Sequence, residues 1–267
     1  MGDPRTSNTR SGAARKPSSA QHRGRVQSTV LVLCALLALC VADCNNSGGP
    51  PAGETHTVSK SVPLGQQKSV DVEIKMGAGE LRVADGSSEL MNADFTYNVD
   101  AWKPEVRYDA AGDRGTLTIQ QPSGGHGYRG KIRYDWDVRL NKHVPMEMNV
   151  NMGAGKANFK IAGLNLTQLN LKVGAGEADI DLDGAWQHDV AASIRGGVGK
   201  VTLHLPTEVG VRATVHGGLG EIHADGFSRN GDAYTNRSYG KSQVNLNIQI
   251  EGGMGEVNLM LGGGETI

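Results

Sequence analysis

From about residue 69 onward, apolar and polar residues alternate in short runs, and the runs break at Gly-x-Gly. Alternation with a period of two buries one face of a strand. The break recurs six times, beginning at Gly77, Gly153, Gly174, Gly197, Gly218 and Gly253, with middle steps of 21, 23 and 21 residues. The first interval of 76 and the last of 35 hold insertions. Aligned on the glycines, Val72, Met148, Leu169, Ala192, Ala213 and Ile248 share a column, as do Ile74, Val150, Leu171, Ile194, Val215 and Ile250. After the break come Leu81, Ala157, Ala178, Val201, Ile222 and Val257. A repeat this short cannot bury its own face, whereas stacked copies can. The pattern predicts an all-β, parallel β-solenoid of rungs about 21 residues long, stacked in chain order with glycine at the corners.

The polar columns carry charge of alternating sign. The residue after each break is Glu80, Lys156, Glu177, Lys200, Glu221 and Glu256, alternating from Lys156 to Glu221. Further along stand Lys160, Asp181, His204 and Asp225. Such pairs contribute little stability each but oppose register slips, because a slipped rung sets like charge against like.

Four segments follow. Residues 1–44 are an address, with six basic and two acidic groups and the uncharged run Thr29–Ala42, the signature of a secretory signal or a retained signal anchor. Residues 45–68 read as a flexible tether, residues 69–144 as a β-rich section capping the stack, and residues 145–267 as the solenoid repeats. All three cysteines, Cys34, Cys40 and Cys44, lie in or just after the apolar run, so the body needs no disulfide and has no thiolate nucleophile. Cys44 sits where a bacterial lipoprotein is acylated, although Asp43 replaces the usual small residue before it. A membrane tether through lipid at Cys44 or through the signal anchor is expected.

Composition narrows the chemistry. The net charge is −1, and residues 45–267 carry 21 basic and 26 acidic groups, so the body is no nucleic-acid binder. Gly-x-Gly lacks the third glycine and the following helix of a dinucleotide loop. Glu177, Asp179, Asp181 and Asp183 share a strand face. They read first as a charge ladder, with calcium binding or acid–base cleavage of a polysaccharide as alternatives. His204, His216 and His223 fall in three different columns and read as surface histidines. No cofactor, metal or catalytic set is expected.

Tyr97-Asn98, Trp102-Lys103-Pro104-Glu105-Val106 and Tyr108 together resemble the N-terminal toast-rack domain, the DUF2154 family. The later stretch resembles the same group through Trp136, Leu140, Val144-Pro145, the Gly-Ala-Gly pairs at 153 and 174, Gly184-Ala185-Trp186, Pro206 and Gly217-Gly218-Leu219-Gly220. The resemblance covers residues 68–260 and implies a right-handed parallel β-helix of the bacterial envelope without catalytic residues. It also implies kinship with the extracytoplasmic part of LiaF-like proteins of the cell-wall antibiotic response and with adhesin domains.

The expected function is that of an exported, membrane-tethered, non-catalytic envelope protein acting on a protein partner, with an adhesin or cell-wall glycan binder as the alternative. A polysaccharide-active enzyme is the third reading. Trp136 reads as core. The candidate interaction surface is Trp186 at a corner together with Phe227, Arg229, Tyr234, Arg237 and Tyr239 of the long 226–243 insertion.

Overall fold

The computed structural model describes residues 49–124, 127–217 and 219–262. The signal-like run and Cys44 lie outside the described residues. The strands in chain order are β1 (His56–Val62), β2 (Ser69–Asp85), β3 (Met91–Tyr97), β4 (Glu105–Ala111), β5 (Arg114–Gln120), β6 (Tyr134–Leu140) and β7 (Met146–Lys160). There follow β8 (Leu166–Asp181), β9 (Val190–Leu205), β10 (Gly210–His216), β11 (Leu219–His223), β12 (Ser228–Asn230), β13 (Ala233–Thr235) and β14 (Asn245–Leu261). A 3₁₀ turn, Asp100–Trp102, lies between β3 and β4. Among the described residues no helix is long and apolar enough to cross a membrane. The all-β expectation holds, as one open 14-stranded sheet.

The long strands β2, β7, β8, β9 and β14 each run through a Gly-x-Gly. In β2 the buried residues are Val70, Val72, Ile74 and Met76 before the glycines but Leu81 and Val83 after them. The buried set steps from even to odd positions, so the chain turns at the glycines and both halves face one core. Gly155 shows why glycine is required there. Its φ is 125°, and an added Cβ would fall on the carbonyl oxygen of Gly79 in the neighbouring strand. The five long strands pair parallel in the order β2-β7-β8-β9-β14, with Ala78 opposite Ala154, Ala154 opposite Ala175 and Ala175 opposite Val198.

The stacking order departs from chain order. Strand β14 lies between β9 and the β10–β11 pair, matching Val198 to Met254 on one side and Glu221 to Glu256 on the other. The 226–243 excursion is responsible. It folds into β12 and β13, and β13 pairs antiparallel with β10, occupying the edge on which a sequential rung would stack. The charge column therefore reads Glu80, Lys156, Glu177, Lys200, Glu256, Glu221. Lys200 Nζ bonds Glu256 at 3.1 Å, and the last register pair sets like charges together.

At the other end, β5 continues the first half of β2 and β6 continues the second half, both in parallel. Strands β4 and β3 then pair antiparallel on β5 and β6, and β1 closes on β3. Part of the expected tether is thus structured, since residues 56–62 form β1. Trp136, fully buried, meets Phe95 edge-on at 5.4 Å. The apolar residues form one continuous core from Val62 to Leu259.

Candidate functional site

At each turn, one residue points into the corner just before Gly-x-Gly. In register these are Met76, Met152, Val173, Gly196 and Gly252. The first three are buried and fill the corner. The last two leave it empty. A Cβ built on Gly196 meets only Val201 Cγ2 at 3.6 Å, and one built on Gly252 meets nothing within 4 Å. The result is a small cavity of about 90 Å³, lined by Val173, Ala178, Val201, Val215, Ile250 and Val257.

Outside the same corner the trend reverses. The middle residue of the break is Ala78, Ala154 and Ala175, then Val198 and Met254. Val198 is 53% exposed and Met254 57%. Bulk has moved from the inside of the corner to its outer surface, leaving an apolar ridge above an apolar cavity. Val198 and Met254 are opposite each other in register and both stand at the cavity mouth.

Ion pairs border the ridge. Arg195 Nε donates to Glu251 at 2.7 Å, and that bond holds the Glu251 carboxyl below the usual carboxylate range. Hydrogen bonds from Asn258 and then Lys200 do the same for Glu256. The surrounding charges are thereby fixed in place, so the arrangement suits docking of an apolar group within a charged frame. It offers no nucleophile and base in contact.

The residues anticipated as an interaction surface are scattered. Trp186 is only 7% exposed, because its Nε1 donates to the Leu182 carbonyl at 2.9 Å and its ring joins the core. Tyr234 is 5% exposed, since β13 turns it inward opposite Ala213. Phe227 packs against the core. Arg229, Arg237 and Tyr239 are exposed, and the Arg229 guanidinium sits 5.4 Å above the Tyr234 ring. Trp186 and Tyr234 are therefore corrected from surface to core, and the excursion plugs the end of the stack.

The carboxylates of this row take separate partners. Glu177 bonds Lys156 at 3.1 Å, Asp179 lies 3.4 Å from His204, and Asp181 Oδ1 accepts from the Asp183 N–H at 2.9 Å. His216 pairs with Asp232 and His223 with Glu221, so the three histidines serve separate partners. Among the described residues no three metal-ligating side chains converge.

A second surface lies at the opposite end. Trp102, half-buried, stacks edge-on against Tyr128 at 5.6 Å and Tyr134 at 5.7 Å. Burial pushes the Tyr134 hydroxyl up, and it donates to the Trp102 carbonyl at 2.7 Å. Trp102 lines an open groove of about 810 Å³ along Lys75, Gln121, Asn151 and Lys172.

Sequence reasoning missed the ridge, although its signal was present. The doubled glycines at 196, 217 and 252 stand where Met76, Met152 and Val173 stand in the other copies.

The family model for the N-terminal domain of toast-rack, DUF2154, matches residues 51–204. The chain belongs to the toast-rack family. That match spans β1 to β9 and ends before β14, so the ridge straddles its C-terminal limit. Among solved structures, a candidate cell adhesion protein from Clostridium sporogenes is 31% identical with a TM-score of 0.76, covering 78% of this chain and 100% of its own. A candidate adhesin from Bacteroides fragilis is 12% identical with a TM-score of 0.30, over 79% of this chain and 100% of its own. No curated protein matches.

Proposed function

We propose that this toast-rack protein is a non-catalytic component of the bacterial envelope that works by binding a protein partner through the Val198–Met254 ridge. The observation that carries the reading is the inversion at the corner, where side chains leave the core and stand exposed over a cavity. A body with only a structural role has no use for that exchange, which costs buried apolar area. The reading includes export, tethering by lipid at Cys44 or by a retained signal anchor, and action in the envelope-stress response. It also includes a right-handed β-helical coil, supported by the in-register pairing of equal positions in β7, β8 and β9.

The cell-adhesion description of the Clostridium protein supports an extracytoplasmic binding role. One observation favours cell-wall glycan as the ligand instead. The Trp102 groove combines an aromatic face with lysine and amide side chains, a composition suited to sugars.

The test is complementation of a deletion strain challenged with a cell-wall-active antibiotic. Wild type is expected to restore survival. Val198→Ser/Met254→Ser, equally abundant in the envelope, is expected not to. Full rescue by that variant would remove the ridge from the mechanism. Indifference of the deletion strain to the challenge would remove the stress response.

A further inference from the structure

Among the described residues the sheet ends on four edges, and β11 differs from the rest. Strand β1 carries Lys60 and the Ser59–Asp94 bond, and β4 carries Glu105, Arg107 and Asp109. Strand β12 has three residues, all exposed. Charge and brevity are the usual protections of an edge. Strand β11 pairs only with β14 among the described residues, and Gly220 to His223 are all exposed. Its Ile222 belongs to the inward column Leu81, Ala157, Ala178, Val201, Val257. That column begins fully buried at Leu81 and ends 39% exposed at Ile222. The core is thus left uncovered on this half of the rung, whereas β13 covers the half formed by β10.

We propose that a second copy of this chain adds to the β11 edge, antiparallel, about a two-fold axis through Ile222. The charge pattern selects both the occupant and the register. In an antiparallel pair, residues directly opposite point to the same face. With Ile222 opposite the partner's Ile222, Glu221 faces the partner's His223, and His223 faces the partner's Glu221. Both polar pairs lie on the outer face, and the two isoleucines extend the apolar column between the copies. Shifting the axis to Glu221 would instead set carboxylate against carboxylate. Within one chain Glu221 already lies beside Glu256, and among the described residues its ion-pair partner is His223 at 3.3 Å. The added pair supplies a second imidazole on its open side. This goes beyond the partner-binding reading, because it names a second copy of the chain as the occupant of the β11 edge, although Glu221 and Ile222 also line the cavity beneath the ridge.

The body's lack of cysteine makes the test direct. Opposed Cβ atoms on antiparallel strands lie about 4.5–5.5 Å apart, close to the ~3.8 Å of a disulfide. The full-length chain carrying Ile222→Cys is oxidised in intact cells and run without reductant. The comparisons are wild type, which reports the N-terminal cysteines, and Ile132→Cys, an exposed position remote from β11. The expected result is a disulfide dimer from Ile222→Cys well above both. Adding His223→Glu should reduce it to the Ile132→Cys level, and adding Glu221→Lys as well should restore it. Rescue by the double exchange shows that the loss is not misfolding. A dimer yield no higher than the comparisons, a yield indifferent to His223→Glu, or a product containing a different protein would each overturn self-pairing. None of these outcomes depends on the ridge.

Discussion

Neighbouring glycines in β14 are predicted to respond to alanine in opposite ways. At Gly252 the backbone lies outside the left-handed region and the added methyl meets nothing within 4 Å. Gly252→Ala therefore only removes freedom from the unfolded chain, which stabilises by about 0.4–1 kcal/mol at a compatible site. At Gly253 the added methyl would overlap the carbonyl oxygen and carbon of Gly197. Those are backbone atoms of β9 in the centre of the parallel stack, so relief means separating β9 from β14 along a register that runs from Leu246 to Leu261. Overpacking of this kind costs about 1–3 kcal/mol. The two variants should differ by roughly 2–3 kcal/mol. The assay is urea unfolding followed by circular dichroism. With a slope near 2 kcal/mol per molar urea, the Gly253→Ala midpoint should fall by about 1 M and that of Gly252→Ala should rise slightly. Equal destabilisation by both would refute the empty corner, and with it the cavity beneath the ridge.

Three further outcomes follow from the packing. Buried Asn236 donates to the Pro206 and Val209 carbonyls and accepts from the Val211 and Tyr239 N–H groups, so Asn236→Ala should cost about 2–3 kcal/mol. Asn236→Asp, which sets a buried carboxylate oxygen against the same two carbonyls, should cost at least as much at neutral pH, as read by urea midpoints. Trp136→Ala should cost about 3–5 kcal/mol and abolish the near-ultraviolet signal of its contact with Phe95. The Glu251 carboxyl is held below its ordinary value by Arg195, so its contribution is present above the unfolded value of 4.5 and lost as pH falls through the lower folded value. The midpoint difference between wild type and Glu251→Gln should therefore shrink from about pH 6 to about pH 3, and a constant difference would contradict the pairing.

Much of the architecture was legible because it is written in close-range rules. The Gly-x-Gly breaks and the apolar columns at Val72, Ile74 and Leu81 identify residues that meet across parallel strands, and the registers of β2, β7, β8 and β9 match them. The position of β14 was not legible. The copies at Gly218 and Gly253 share one pattern, and a column alignment carries no information on which of two equivalent strands is outermost. The decision lies in the excursion, where Asn230-Gly231-Asp232 turns β12 back on β13. That hairpin also explains Tyr234, whose aromatic side chain in a long polar loop looks exposed until the loop pairs with β10. Trp186 misled for a related reason, since a corner ring can fold back on the Leu182 carbonyl. Strand β1 escaped notice because an edge strand buries little and so shows only Val58 and Val62.

The central claim, that the Val198–Met254 ridge meets a protein partner, is tested most directly by photocrosslinking in intact cells. A photoreactive residue is placed at Met254, at Trp102, or at exposed Arg107 of β4. One discrete envelope protein is expected to be captured from Met254, lost in the Val198→Ser background, and not captured from Arg107. Cell-wall glycan captured from Trp102, with no protein from Met254, would contradict it.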